Sequence, residues 1–303
     1  WKAARDLKPG EIILFPKIKA SANTKYKSYE LGKLLGYFLG DGSGFHASKP
    51  RIQYWRISLN SKEKEKIQEV QDLLKSFGIH SFLRIRNNVT DVTFSCNKLG
   101  YNDWFRQLYK NGEKHIPIEF LKGTDDFLLG LIDGLVSSDG YETSARRYII
   151  NTSSSIINGA VLALARFGIL PSIRYRANSS GLSCASASLK PIFEISWPKR
   201  KNREIFDYGD YLGTRLRSIT PAKPKELVNI VTIDGTICLT YAITHNTDWL
   251  VFEGLVKPGS VGATRHGWGF FYIVDRGTVT FGAQKQYFHE YFLHGKKFKN
   301  LRL

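Results

Sequence analysis

The chain has 303 residues, long enough for two or more domains and a well-buried core. Its 44 Lys and Arg against 27 Asp and Glu give a net charge of +17 spread along the whole length. That balance points to a polyanion, nucleic acid before membrane, since there is no long apolar span and no secretory signal.

Taken in chain order, the first predicted element is a short strand at Ile12–Phe15, after Pro9-Gly10. A helix follows in "LGKLLGYFLGDG": Leu31, Leu34, Leu35 and Phe38 fall at helical spacing, and Gly32, Gly36 and Gly40 form a small-residue stripe. Asp41-Gly42 closes it. Next come a strand in "YWRISLN", a helix opened by Ser61 and ended at Phe77-Gly78-Ile79, and a strand carrying Arg84 and Arg86. From Phe127 the same order returns. The helix "FLLGLIDGLVSSDG" ends on Asp139-Gly140; then come the strand "RYIIN", a helix opened by Ser153 or Ser155 and ended at Phe167-Gly168-Ile169, and a strand carrying Arg174 and Arg176. The serines sit where N-caps belong, and Gly78 and Gly168 where C-caps belong. This recurrence predicts a tandem duplication of a mixed α/β unit.

Alternate strand residues share a face, so each Arg-x-Arg pair places two guanidiniums on one side of a sheet. A solvated polar face is the ordinary fate of one such pair; its repetition at the same place in both copies favours contact with DNA. The carboxylates repeat as well. A helix C-terminus carries partial negative charge, so an acidic last residue is locally unfavourable. Asp-Gly alone is a common turn dipeptide, but two copies at the ends of glycine-striped helices imply close packing about a pseudo-twofold axis that brings Asp41 and Asp139 together. Such a pair can hold Mg²⁺, which favours one or two carboxylates with water and phosphate oxygens, and so assist attack of water on a phosphodiester.

"LLGYFLGDG" and "LIDGLVSSDG" resemble the signature of LAGLIDADG homing endonucleases, in a single-chain member with two motifs. The resemblance implies an α/β (α+β) fold of two αββαββα repeats within residues 30–212, with saddle-shaped sheets straddling a long site in double-stranded DNA. It further implies a monomer with internal pseudo-twofold symmetry, and Mg²⁺-dependent double-strand cleavage, Mn²⁺ serving as a substitute, with Asp41 and Asp139 as catalytic metal ligands. Leu39 and Ser137 replace the earlier acidic letter of the signature, and Asp133 reads as structural. Lys98 and Lys199, at loosely corresponding places in the repeats, are expected near the scissile phosphate; a phosphate clamp or a plain surface lysine remains the alternative for both.

The flanks carry a second resemblance. Residues 1–29, with Leu7, Pro9-Gly10 and the first strand, are similar to the block after the N-terminal splicing motifs of inteins, and residues 213–246 to the intein C-terminus. The ending His245-Asn246-Thr247 suits the downstream junction: the Asn amide cyclises onto its own peptide carbonyl, the His assists proton transfer, and the Thr hydroxyl accepts the acyl group. The upstream nucleophile and the Thr-x-x-His block are missing, so the expectation is slow cleavage after Asn246 without splicing. Without Met even at residue 1, the chain is expected to begin inside a longer reading frame. Residues 247–303 would be the host's downstream piece, with "VDRGTV" and "EYFLHGKKFKNLRL" resembling a 3′-phosphoesterase domain of DNA-repair ligases; His289, Glu290 and His294 there read as exposed or structural. Cys96, Cys184 and Cys238 lie far apart and form no CxxC pair, so neither a disulfide framework nor a zinc site is indicated, which fits a reducing, cytoplasmic setting. Two further readings stay open: a DNA- or RNA-binding protein of the same fold, and a splicing element with a decayed nuclease.

Overall fold

The computed structural model describes residues 7–44, 54–96, 101–176, 191–200 and 204–219, then residue 275 and strand segments within 236–245, 254–256 and 269–302. The chain divides into two compact units. One comprises residues 2–221 with 238–243, the other residue 1, 222–237 and 244–303.

The larger unit opens with β1 (Ile12–Pro16) and α1 (Tyr29–Asp41), then β2 (Gly42–Gly44), β3 (Tyr54–Asn60), α2 (Lys64–Ser76), β4 (Ser81–Arg86), β5 (Val89–Ser95) and α3 (Asn102–Arg106). A hairpin, β6 (Tyr109–Lys110) with β7 (Glu113–Lys114), and the short α4 (Ile118–Leu121) lead to the second copy. That copy runs α5 (Asp125–Asp139), β8 (Gly140–Glu142), β9 (Arg146–Asn151), α6 (Ser154–Arg166), β10 (Ser172–Arg176) and β11 (Ile192–Pro198), and is followed by β12 (Ile205–Asp207) and β13 (Tyr211–Arg215). The two copies build four-stranded sheets of identical order, β2-β3-β5-β4 and β8-β9-β11-β10, with every pairing antiparallel. The duplication read from sequence is thus a structural one, and the fold is the mixed α/β arrangement expected.

Helices α1 and α5 form the axis. Ser28 and Thr124 cap them, each side chain accepting from a backbone N–H three residues on. Leu34, Leu35, Phe38, Phe127, Leu131 and Leu135 are fully buried. The glycines let the two backbones touch: a Cβ on Gly32 would lie 2.0 Å from Phe127 O, on Gly36 2.4 Å from Leu131 O, on Gly130 2.0 Å from Tyr29 O and on Gly134 2.2 Å from Lys33 O. No side chain fits there.

Gly78 (φ 67°) and Gly168 (φ 74°) end α2 and α6 as predicted, with Ile79 N donating to Leu74 O and Ile169 N to Leu164 O. Ser153 caps α6. Ser61 does not cap α2: one more residue separates β3 from its helix, Glu63 takes the N-cap position, and the Ser61 hydroxyl meets Thr90 instead. The two helices also differ in cover. α2 buries only Ile67, Val70 and Leu74, whereas α6 buries eight residues, because β1 of the three-stranded sheet β1-β13-β12 packs against it. The first predicted strand therefore joins β13, with Ile12 opposite Arg215 and Pro16 opposite Tyr211.

The remaining strands are β14 (Thr236–Leu239) with β15 (Ala242–His245), β16 (Gly254–Val256) with β17 (Gly269–Phe271), and the antiparallel sheet β18 (Gly277–Lys285), β19 (Phe288–Gly295), β20 (Lys299–Arg302). Asp275 anchors the β19–β20 turn by accepting from the backbone N–H groups of Lys296, Lys297 and Phe298.

Candidate active site and nucleic-acid interface

Asp41 is the last residue of α1 and Asp139 the last of α5. Close glycine packing brings them together: a Cβ on Gly40 would sit 3.1 Å from Asp139 Cγ. Burial, then the charge of Asp139, pushes Asp41 up to about 6, and burial raises Asp139 as well. Two partly buried carboxylates that repel each other are destabilising unless a cation lies between them. Among the described residues no cluster of three or more His, Cys, Asp or Glu side chains forms. A pair of partly exposed carboxylates is nonetheless a donor set that Mg²⁺ accepts together with water and phosphate oxygens, so these residues fit that ion.

The site holds one more charged group, which the sequence reading missed. Lys114 of β7 donates to the carbonyls of Phe38 (3.2 Å), Gly40 (2.7 Å) and Gly42 (3.0 Å) at the C-terminus of α1. Neither α1 nor α5 has a basic residue in its last turn; the ammonium of Lys114 takes that role against the helix dipole from outside the helix. Burial lowers its pKa to about 8, opposed by the charges of Asp139 and Asp41. A sequence signal existed. Asn111-Gly112, both at positive φ (53° and 82°), is a two-residue hairpin turn that places Lys114 across from Tyr109.

The two halves are not equivalent around the carboxylates. The Asn151 amide donates to Asp139 Oδ2, and the Asn151 side-chain oxygen accepts from Ser153 N (2.7 Å). By sequence Asn60 is its counterpart, but by register Leu59 is, since Gly42 pairs with Ile57 and Gly140 with Ile149. A one-residue offset turns a strand side chain to the other face. Asn60 accepts from Lys62 N and leaves the Asp41 side to apolar Leu59.

Both sheets turn a polar face away from the helices. In the first, Val92 and Phe94 enter the core while Arg56, Ser58 and Asp91 share the other face with Arg84 and Arg86. Asp91 accepts from Ser58 Oγ (2.7 Å) and pairs with Arg86. In the second, Arg174 stands opposite Glu194 at 3.7 Å, and Arg176 opposite Ile192 in the backbone register. Asp133 is structural, accepting from Tyr29 Oη (2.6 Å) and Arg147 Nη2 (2.6 Å). Lys199 pairs with Glu142 at 2.7 Å, beside Ala145. Its ammonium is thus engaged by Glu142, three residues beyond Asp139 on β8, with no ion pair to Asp41 or Asp139 among the described residues. Lys98 lies outside the described residues.

Of the splicing residues, His245 ends β15, and Asn246 and Thr247 lie outside the described residues. In the downstream sheet, His294 contacts Thr280 and Asn300, and Glu290 pairs with Arg302. No helix among the described residues is long and apolar enough to cross a membrane.

Comparison with known proteins adds three findings. An iron-sulfur cluster assembly SufBD family protein of Mycobacterium tuberculosis is 24% identical over 284 residues, 85% of this chain and 33% of its own length. An ATP-dependent DNA helicase of Thermococcus kodakarensis is 26% identical over 60% of the chain and 16% of its own length, and a replication factor C small subunit of Methanocaldococcus jannaschii 26% over 59% and 10%. The chain therefore spans a third or less of the curated relatives it matches. Among solved structures, a variant of the homing endonuclease I-DmoI with its target DNA and Mn has a TM-score of 0.40 at 16% identity, covering 55% of this chain and 86% of that one. I-WcaI bound to its DNA recognition sequence gives 0.38 at 15% identity (58% and 83%), and the N-terminal LAGLIDADG domain of WhiA 0.35 at 14% (57% and 79%). The model of the LAGLIDADG-like domain matches residues 28–113 and 126–194, just over half of the chain and both copies of the repeat. The chain belongs to the LAGLIDADG-like family.

Proposed function

We propose that the chain is a site-specific endonuclease that cuts both strands of a long duplex site. The observation that carries this reading is the convergence of Asp41, Asp139 and Lys114 at the paired C-termini of α1 and α5. A protein that only binds nucleic acid has no use for carboxylates facing phosphates.

Asp41 and Asp139 would hold Mg²⁺, or Mn²⁺ in its place. When bound, the ion supplies charge neutralisation at phosphate and a more acidic water. Asn151 fixes the carboxylate plane of Asp139 by its amide hydrogen bond. Lys114, whose three N–H groups are held by the carbonyls of Phe38, Gly40 and Gly42, adds fixed positive charge beside the phosphate. Arg84, Arg86, Arg174 and Arg176 on the edge strands β4 and β10 grip the duplex on either side of the cut. Lys199, engaged by Glu142, serves the DNA backbone and not the chemistry.

Residues 1–29 and 213–246 also read as remnants of an intein, a self-excising segment carried inside host proteins, with residues 247–303 as the host's downstream piece. Support comes from the relatives: one segment recurs as a minor part of proteins named for iron–sulfur assembly, DNA unwinding and replication. A mobile element in unrelated hosts accounts for that distribution. His245, Asn246 and Thr247 would then form the downstream junction, and slow peptide cleavage after Asn246, abolished in Asn246→Ala, is the expected product by mass spectrometry.

The nuclease reading is tested by incubating the chain with a randomised duplex library and Mg²⁺, alongside Asp41→Asn and Asp139→Asn. Cleavage at one long site, lost in either variant, is expected. Selective, salt-sensitive binding by the parent without cleavage would overturn it in favour of a DNA-binding role.

A further inference from the structure

Each DNA-facing sheet carries, on its third strand, a carboxylate that a polyanion-binding surface should avoid. Asp91 of β5 is 2% exposed and Glu194 of β11 5% exposed. They occupy matching places. Asp91 stands opposite Arg84 of β4 and Glu194 opposite Arg174 of β10, in sheets of identical strand order. Both lie on the polar face, since their neighbours Val92 and Ile195 point into the core.

Burying a carboxylate is costly unless it is paired and hydrogen-bonded. Asp91 meets that demand with Ser58 Oγ at 2.7 Å, Arg86, and Arg56 at 3.9 Å. Glu194, one methylene longer, reaches Arg174 at 3.7 Å. The guanidiniums remain accessible on the far side: Arg86 is 48% exposed and Arg174 66% exposed. Arg86 is therefore hydrogen-bonded at one edge to a buried acid and Arg174 held by charge attraction to another, and both keep an exposed edge.

We propose that Asp91 and Glu194 are specificity-determining positioning residues. They hold Arg86 and Arg174 in one orientation for reading base edges, and they withdraw those guanidiniums from indiscriminate phosphate contact. An unanchored arginine swings to the nearest phosphate, which adds affinity for every sequence alike. An anchored one keeps the planar fork that a guanine edge requires. The inference rests on the proposed binding of duplex DNA and deepens it.

The test uses the full-length chain, Asp91→Asn and Glu194→Gln, with Ca²⁺ in place of Mg²⁺. Two quantities are measured: the sequence selected from a randomised duplex pool, and the salt dependence of binding to one short duplex of arbitrary sequence. In each variant the log–log salt slope on the arbitrary duplex should steepen by about one, the share of a single phosphate contact. Discrimination should fall by about tenfold or more at the base pairs read by the corresponding half-site. Asp91→Asn should weaken the first half-site and Glu194→Gln the second. Folded variants with the parental slope and the parental selected sequence would overturn the proposal. Because Asp91 is nearly fully buried and its replacement can unfold the sheet, Glu194→Gln, held by a longer contact, keeps the test decisive. If the parent binds no duplex at all, the nuclease reading itself fails, an outcome distinct from parental binding that the variants leave unchanged.

Discussion

Replacing Gly134 by Ala adds one methyl group where the two central helices touch. Its Cβ would lie 2.2 Å from Lys33 O and 2.8 Å from Gly36 Cα. Ordinary contact at such a carbonyl needs a little over 3 Å, so α1 and α5 must part locally by about 1 Å; both neighbours are backbone atoms, and overpacking of this kind costs about 1–3 kcal/mol. The higher helix propensity of Ala returns up to about 1 kcal/mol. The net loss of about 1–2 kcal/mol should lower the melting temperature of a unit of this size by about 2–8 °C. The same displacement reaches Asp41 and Asp139, which end these helices, and a misplacement of about 1 Å at reacting groups can cost about 100-fold in rate. Gly168→Ala is the control. Gly168 has φ 74° with nothing within 4 Å of an added Cβ, so it tests backbone conformation without the contact; it should lose stability and keep cleavage. The assays are thermal unfolding and single-turnover cleavage of the selected site. If Gly134→Ala melted with the parent and cut at its rate, the claim that backbone contact sets the carboxylate geometry would be wrong.

Three further predictions follow from the site. In metal-free protein Asp41 titrates near 6, above its ordinary 3.8, so protonation favours the folded state. That stabilisation is present below pH 3.8 and is lost as pH rises through 6. Denaturant titrations at pH 4 and pH 7 should show Asp41→Asn gaining about 1–2 kcal/mol on the parent at the higher pH, allowing for solvent screening; no gain would mean that neither burial nor the charge of Asp139 disfavours the Asp41 carboxylate. Lys114→Met should leave binding of the selected duplex near parental and lower cleavage by about 100-fold or more, as expected for a fixed positive charge at the site, whereas parental cleavage would remove Lys114 from the chemistry. Arg147→Met strips Asp133 of a partner at 2.6 Å. It should cost about 1–3 kcal/mol in chemical unfolding with little change in cleavage, and the reverse pattern would make Asp133 functional.

Sequence alone determined the repeat, both terminal carboxylates, the glycine stripes and the Arg-x-Arg strands, because each is written in local periodicity and in turn or cap chemistry that needs no distant partner. The Schellman ends at Gly78 and Gly168 follow from backbone conformation, and the close approach of α1 and α5 from the absence of side chains along one helix face. Tertiary structure decided what depends on register and on neighbours far along the chain. Lys114 reaches the end of α1 beside the carboxylates only because the hairpin between the repeats folds back onto it. Asn151 meets Asp139 while Asn60, alike in sequence, faces the other way by a one-residue offset. Lys199 is drawn to Glu142 at the far end of its strand. Asp91 and Glu194 read as ordinary strand acids until cross-strand pairing sets them against the arginines, since the partner of a strand residue is fixed by sheet order and register, which no local pattern encodes.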